Sequence, residues 1–179
     1  AVRGRYTKAV EMAPFTWFRV GGAAEVVFRP ADVADLASFL SAKPADVPLT
    51  VIGVTSNLLV RDGGIAGVVV RLGKEFAGVE FSEEYVRIGA AMLNANASRA
   101  ALSEGRSGLE FLSGIPGSIG GGLRMNAGAY GREFKDVLFE AEAIDGNGNV
   151  HRLAVAEMGM GYRHSNVAGD WIFISGMFA

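Results

Sequence analysis

Residues 114–131 read Gly-Ile-Pro-Gly-Ser-Ile-Gly-Gly-Gly-Leu-Arg-Met-Asn-Ala-Gly-Ala-Tyr-Gly, and a run this rich in glycine marks a backbone that must come very close to something. Gly117, Gly120, Gly121 and Gly122 have no Cβ to hold a ligand away. Ser118 adds a hydroxyl donor among main-chain N–H groups at what reads as the mouth of a helix. That is phosphate-binding chemistry. Upstream, the apolar run Leu49-Thr50-Val51-Ile52 meets Gly53-Val54-Thr55-Ser56-Asn57 and then Leu58-Leu59-Val60, a second turn of the same kind. Two such turns in one chain point to a dinucleotide, although glycine-rich turns also serve tight corners and helix packing, so each run alone reads equally as structural. The series Gly114, Gly117, Gly120 is spaced by threes rather than as G-x-G-x-x-G, and no G-x-x-x-x-G-K-[ST] occurs. Both a nicotinamide Rossmann site and a P-loop are therefore disfavoured.

With 179 residues the chain makes one ordinary domain or two small ones sharing an interface. Half the residues are apolar and a fifth charged, as in a soluble protein with a real core, while 25 glycines are about twice the usual share of ~7%. A net charge of −2, from 17 basic and 19 acidic residues, gives no electrostatic reason to expect nucleic acid or an anionic membrane as partner. The absence of cysteine excludes disulfides, thiolate nucleophiles, thiolate zinc and iron–sulfur ligation. With only His151 and His164 besides, no metal site is expected. The basic start, Arg3, Arg5 and Lys8, leads into no apolar segment, and no long uncharged run follows, so a cytoplasmic protein is expected. The missing initiator Met and the strand-like ending from Trp171 to Ala179 read as a fragment.

Periodicity predicts a strand over 24–28, a helix over 31–43 with Asp32 and Asp35 at its start, and strands over 49–54 and 66–72, a β-α-β-β unit. Charge rises and apolar periodicity fades over 73–84, which places a boundary between subdomains 1–75 and 76–179. The second begins with a strand over 85–88 and a helix over about 93–104 capped by Gly105. Past the glycine-rich loop, a strand over 137–144 turns through Asp145-Gly146-Asn147-Gly148-Asn149 and pairs with 150–153. A short helix over 155–158 and the segment Gly161-Tyr162-Arg163-His164-Ser165 lead to a final strand.

Four segments, in this order, resemble the UDP-N-acetylenolpyruvoylglucosamine reductase family of peptidoglycan precursor synthesis. They are Thr16-Trp17-Phe18-Arg19-Val20-Gly21-Gly22, Ile52 to Val60, Ser113 to Gly131, and Gly161 to Ser165. The resemblance implies an α+β, two-subdomain FAD-binding fold of the vanillyl-alcohol oxidase and p-cresol methylhydroxylase type, with a C-terminal substrate-binding domain missing from this chain. It implies that NADPH reduces FAD, and that a hydride then passes to the enolpyruvyl double bond of a UDP-sugar; the two phosphate-type turns and the lack of a cysteine for thioether attachment predict that the FAD is noncovalent. The serine that protonates the neighbouring carbon, and a glutamate, belong to the missing domain. For FAD it implies Gly53, Val54, Thr55, Ser56, Asn57 and Leu58 on one side, and Gly117, Ser118, Gly120, Gly121 and Gly122 on the other. Asn126 reads either as support for the second wall or as a helix-end cap.

Arg163 is the implied catalytic residue, holding the substrate carboxylate as charge builds on it; the alternative is a structural ion pair. Tyr162 is expected near flavin or substrate, Ser165 as a turn residue, His164 in solvent, and Trp17 and Phe18 in the core. Thr55 stands where the family usually has glycine and Ala23 where it often has proline. A β-branched residue suits positive φ poorly, and its methyl is expected near the phosphate. The alternatives to the reductase are another small-molecule oxidoreductase on the same fold and a catalytically silent FAD-binding module.

Overall fold

In a computed structural model, which describes residues 2–179, the first half is a mixed four-stranded sheet. Its strands are β1 (Arg5–Glu11), β2 (Ala23–Arg29), β3 (Leu49–Ile52) and β4 (Ile65–Arg71), in the order β1-β2-β4-β3. Helix α1 (Val33–Ala42) crosses between β2 and β3 and buries Leu36, Phe39 and Leu40. Asp32 caps it, accepting a hydrogen bond from the Asp35 amide at 2.8 Å. β2, β4 and β3 are parallel. Consecutive parallel strands need a crossover rather than a hairpin, so residues 53–64 form a long connection leaving the C-terminal end of β3.

The unit over 1–75 is therefore β-β-α-β-β, not β-α-β-β. β1 escaped the sequence reading because it is exposed along nearly its whole length and shows no apolar alternation. Its order comes from antiparallel pairing with β2 and from Tyr6 stacking on Phe28 at 4.6 Å. Its start is also pinned by Asp35, 2% exposed, whose carboxylate accepts N–H bonds from Arg3 (2.5 Å), Gly4 (2.8 Å) and Ala31 (2.9 Å).

Burial alone would raise the Asp35 pKa, but the amides of Ala31, Arg3 and Gly4 outweigh it and hold the carboxyl below its ordinary value. A carboxylate depressed in the folded state contributes stability above its unfolded pKa and loses it as pH falls through the folded one. Asp35→Asn turns one acceptor oxygen into a donor facing other donors. It is expected to cost about 1–3 kcal/mol at neutral pH and to flatten the loss of stability below the ordinary carboxylate range. Urea melts of both proteins at neutral and acid pH check this.

The second half is an antiparallel sheet in the order β10-β9-β11-β6-β5. Its strands are β5 (Val79–Phe81), β6 (Val86–Gly89), β9 (Leu138–Ile144), β10 (Val150–Ala154) and β11 (Ile172–Phe178). Helices α2 (Asn94–Ser103) and α3 (Ile119–Met125), with the small ladder of β7 (Gly128–Ala129) and β8 (Arg132–Glu133), pack around a core of Ile88, Leu112, Ile119, Leu123, Phe134 and Phe178. The predicted β9–β10 hairpin forms, and Asp145 holds its turn by accepting the amides of Asn147 (2.9 Å) and Asn149 (2.8 Å).

Residues 73–84, expected to part the halves, contain a 3-10 turn at Lys74–Phe76 and strand β5. Buried Phe76 joins Phe28, Leu36, Leu40 and Val70 to Ile144, Ile172 and Ile174 in one cluster, so the two sheets share a core. Among the described residues, no helix is long and apolar enough to cross a membrane.

Candidate functional site

Between the sheets lies a cleft of about 930 Å³, of the size that takes a large organic ligand. Gly53 and Val54 line it from the crossover after β3, and Ser118, Gly120 and Gly121 from the start of α3. The two glycine segments meet there. A Cβ on Gly53 would stand 2.8 Å from Ser118 Oγ, and one on Gly117, at φ +118°, would stand 3.3 Å from Ser56 Oγ. Segments more than 60 positions apart in sequence thus form two facing walls, which neither run alone disclosed.

The first wall is an amide cradle. Among the described residues, no N–H from Gly53 to Asn57 has a protein acceptor. Successive unpaired amides around a left-handed residue make an anion-binding concavity, and Thr55 supplies that residue at φ 55°. The expected positive φ is present, but the side chain lies elsewhere than expected. Thr55 is 7% exposed and does not line the cleft. Its hydroxyl lies against the carbonyls of Phe15 and Val54. The left-handed backbone turns the side chain inward to tie the crossover to the 13–20 segment, so no methyl faces the cleft.

The second wall is less open than the sequence implied. The Ile119 and Gly120 amides are already bonded to the Met92 and Ala90 carbonyls at 2.9 and 2.8 Å, and that of Gly122 to Ser118 O. Ser118 occupies the N-cap position, yet its hydroxyl makes no capping bond. It is 6% exposed at the cleft edge, a donor with no acceptor among the described residues. Gly120 is small because Ala90 packs against it, and Gly122 because a Cβ would stand 2.2 Å from the Phe134 ring. Gly122 is thus turned to the core rather than to the cleft. Gly121 alone in this triplet opens on space, its Cβ position meeting only Ser118 Oγ at 4.0 Å.

Asn126 lines no part of the cleft. It caps α3 at φ 41°, and its fully buried amide donates to Glu133 (3.0 Å) and Gly161 (2.9 Å) while accepting from the Lys135 amide (3.0 Å). Through Gly161 it anchors the Tyr162–Arg163 turn, closed by paired bonds between Gly161 and His164. Arg163 is exposed at φ 50°. Its guanidinium has no hydrogen bond or ion pair among the described residues, only the Tyr162 ring at 5.7 Å. The ion-pair alternative finds no partner. Ser56, Asn57, Leu58, Gly117, Tyr162 and Arg163 lie outside the cleft lining.

Two further expectations are corrected. Trp17 and Phe18 are 75% and 64% exposed, not core, because the segment is held by Thr16, whose hydroxyl bonds the Val20 carbonyl at 2.9 Å. Ser165 follows the turn instead of forming it; it is buried, and its hydroxyl has no partner. His164, exposed as expected, bonds Asn166 at 2.6 Å. The sequence reading also missed the rest of the lining. Lys43, Arg71, Arg124, Asp170 and Trp171 converge on the cleft from four separate segments. Arg124 ties the 167–171 loop down through the carbonyls of Val167 (2.6 Å), Ala168 (3.2 Å) and Trp171 (2.5 Å).

The model of the FAD binding domain family matches residues 24–154, a range that holds both walls and all strands but β1 and β11. The chain belongs to this family. Its fold is the FAD-binding fold of the vanillyl-alcohol oxidase and p-cresol methylhydroxylase type, as the solved structures agree. A cholesterol oxidase from Brevibacterium sterolicum superposes with TM-score 0.72 at 15% identity, over 98% of this chain and 37% of that one. A UDP-N-acetylenolpyruvylglucosamine reductase from Thermus caldophilus superposes with TM-score 0.84 at 30% identity, over 100% of this chain and 62% of that one. The UDP-N-acetylenolpyruvoylglucosamine reductase of Parvibaculum lavamentivorans is 58% identical over 99% of this chain and 57% of its own length. That of Rhodospirillum rubrum is 56% identical over 97% of this chain and 54% of its own. The chain thus spans a little over half the length of the curated relatives it matches, and corresponds to their FAD-binding part.

Proposed function

We propose that this chain is the FAD-binding part of a reductase that converts UDP-N-acetylglucosamine enolpyruvate to UDP-N-acetylmuramate with NADPH, in the cytoplasmic stage of peptidoglycan synthesis. The observation that carries the reading is the row of unpaired amides from Gly53 to Asn57, which opens at the cleft with Gly53 beside the free Ser118 hydroxyl. This cradle fits a diphosphate, so the site suits FAD on its own chemistry. In this reading subdomain 1–75 supplies the amide wall, subdomain 76–179 the serine and glycine wall, and their shared core fixes the width between them. The chemistry that a bound FAD would supply there is two-electron hydride transfer from NADPH to the enolpyruvyl double bond.

The chain's own residues bind and orient. The amides of residues 53–57 and Ser118 Oγ would hold the phosphate oxygens, and Gly121 would leave room for the cofactor. Asn126 sets the turn that presents Arg163, whose planar fork grips the substrate carboxylate at two points as negative charge builds toward it. Arg163 gives no proton, being a permanent cation. Hydride addition therefore needs an acid from elsewhere, which in this reading the substrate domain of the longer relatives supplies. The 179-residue chain loaded with FAD is accordingly expected to form UDP-N-acetylmuramate at least 10²-fold more slowly than a full-length relative, since general acid catalysis commonly contributes about 10²–10⁴-fold. Anaerobic product formation is the informative assay, because reduced flavin also reacts with oxygen. Comparable turnover by the two proteins would require a catalytic acid within this chain.

A further inference from the structure

The cleft is basic although the chain is not. Its lining carries Lys43, Arg71 and Arg124 against the single acid Asp170, while the whole chain has a net charge of −2. The three cations are not equivalent. Lys43 Nζ is spent on the carbonyls of Pro44 and Val47, both at 2.8 Å, and Arg124 is spent on the 167–171 loop. Arg71 is half-buried, and among the described residues its guanidinium has no hydrogen bond and no ion pair, only the face of Phe15 at 5.4 Å. Burial, and then the neighbouring Arg29, push its pKa down, the mark of a cation lacking a counter-charge.

Its position is specific. Arg71 ends β4, directly across the ladder from Ile52, so it adjoins Gly53, where the unpaired amides begin. It also sits at the C-terminal ends of parallel strands, where open α/β sheets bind ligands. We infer that Arg71 is a diphosphate-binding residue of the cleft, placing its free guanidinium against the phosphates held by the 53–57 amides. The inference rests on the FAD reading above. Phe15, held against Thr55 by its carbonyl, supplies the surface on which the guanidinium lies, so the fork is oriented before the ligand arrives.

The diphosphate could belong to FAD or to the UDP-sugar. The adjacency to Gly53 and Ser118 assigns it to FAD. The test is equilibrium titration of apoprotein with FAD, followed by flavin fluorescence, for wild type, Arg71→Lys and Arg71→Met at low and high salt. A charge-assisted hydrogen bond of about 1.5–3 kcal/mol corresponds to roughly 10- to 100-fold in dissociation constant. Arg71→Met should lose that much, Arg71→Lys distinctly less, and the loss should shrink as salt screens the charge. Wild-type affinity in Arg71→Met overturns the assignment. So does an equal, salt-independent loss in both variants, which would mean that Arg71 only packs on Phe15. In a second arm, UDP is titrated onto a full-length reductase carrying this sequence, as wild type and with each substitution, saturated with FAD. Unchanged UDP binding agrees with the flavin assignment, and loss confined to UDP overturns it. A wild-type chain that binds no FAD defeats the cofactor reading itself, and this assignment with it.

Discussion

Gly121→Leu should abolish FAD binding without lowering the melting temperature, whereas Gly122→Ala, one residue on, should lower the melting temperature by several degrees. Both glycines lie in α3 within the same triplet, yet they face opposite ways. A Cβ at Gly121 meets only Ser118 Oγ at 4.0 Å, and Gly121 lines the cleft, so a leucine side chain there enters the volume the cofactor needs. Removing glycine from a helix interior meanwhile contributes up to about 1 kcal/mol to helix stability. At Gly122 the added Cβ would stand 2.2–2.8 Å from three atoms of the Phe134 ring. That ring is fully buried and packed edge-on against Phe111 and Phe178, so it has nowhere to go. Overpacking of this kind costs about 1–3 kcal/mol, more than the helix gains. Thermal melts with FAD titrations of both variants separate the two roles. Tight FAD binding by Gly121→Leu would move the cofactor out of this cleft.

Arg163→Lys, made in a full-length reductase carrying this sequence, should lower kcat by about 10²–10³, the scale of losing one well-placed donor to developing charge. FAD affinity should stay unchanged, because Arg163 lies outside the cleft lining. The backbone is a built-in control. Arginine already sits at φ 50°, and lysine tolerates that region no better or worse, so the substitution alters the side chain while leaving the strain of the turn in place. Lysine keeps the charge but not the planar two-point grip. The loss should therefore appear in the step where charge develops, and a rise in KM with kcat intact would instead mark Arg163 as a ground-state anchor. Full turnover would make the residue dispensable.

The elements most legible in the sequence were those whose cause is local. α1 carries Val33, Leu36, Ala37 and Leu40 at helical spacing behind a capping Asp32, and the β9–β10 hairpin is written in the turn from Asp145 to Asn149. β1 was illegible because its cause is a partner strand rather than its own pattern. The glycine-rich block reads in sequence as a close approach to a ligand, but the neighbour of each glycine is not written there. Gly120 and Gly122 approach Ala90 and Phe134, and only distant residues reveal that. The positive φ of Thr55 followed from its place in the turn, while the direction of its hydroxyl depended on Phe15, 40 positions away. Arg71 carries no local motif. Its meaning comes from standing across a parallel ladder from Ile52, a pairing visible only once β3 and β4 are known to run side by side.

The central claim, one FAD held noncovalently between the two sheets, is tested most directly by titrating apoprotein with FAD and then precipitating the complex with acid. The chain has no cysteine to form a thioether. Of its two histidines, His151 is stacked on Trp171 at 4.3 Å and bonded to Asp145 at 2.9 Å, and His164 is bonded to Asn166. Saturation at one flavin per chain, with all the yellow colour released into the acid supernatant, is the predicted result. Failure to saturate, or flavin that stays with the precipitated protein, would contradict it.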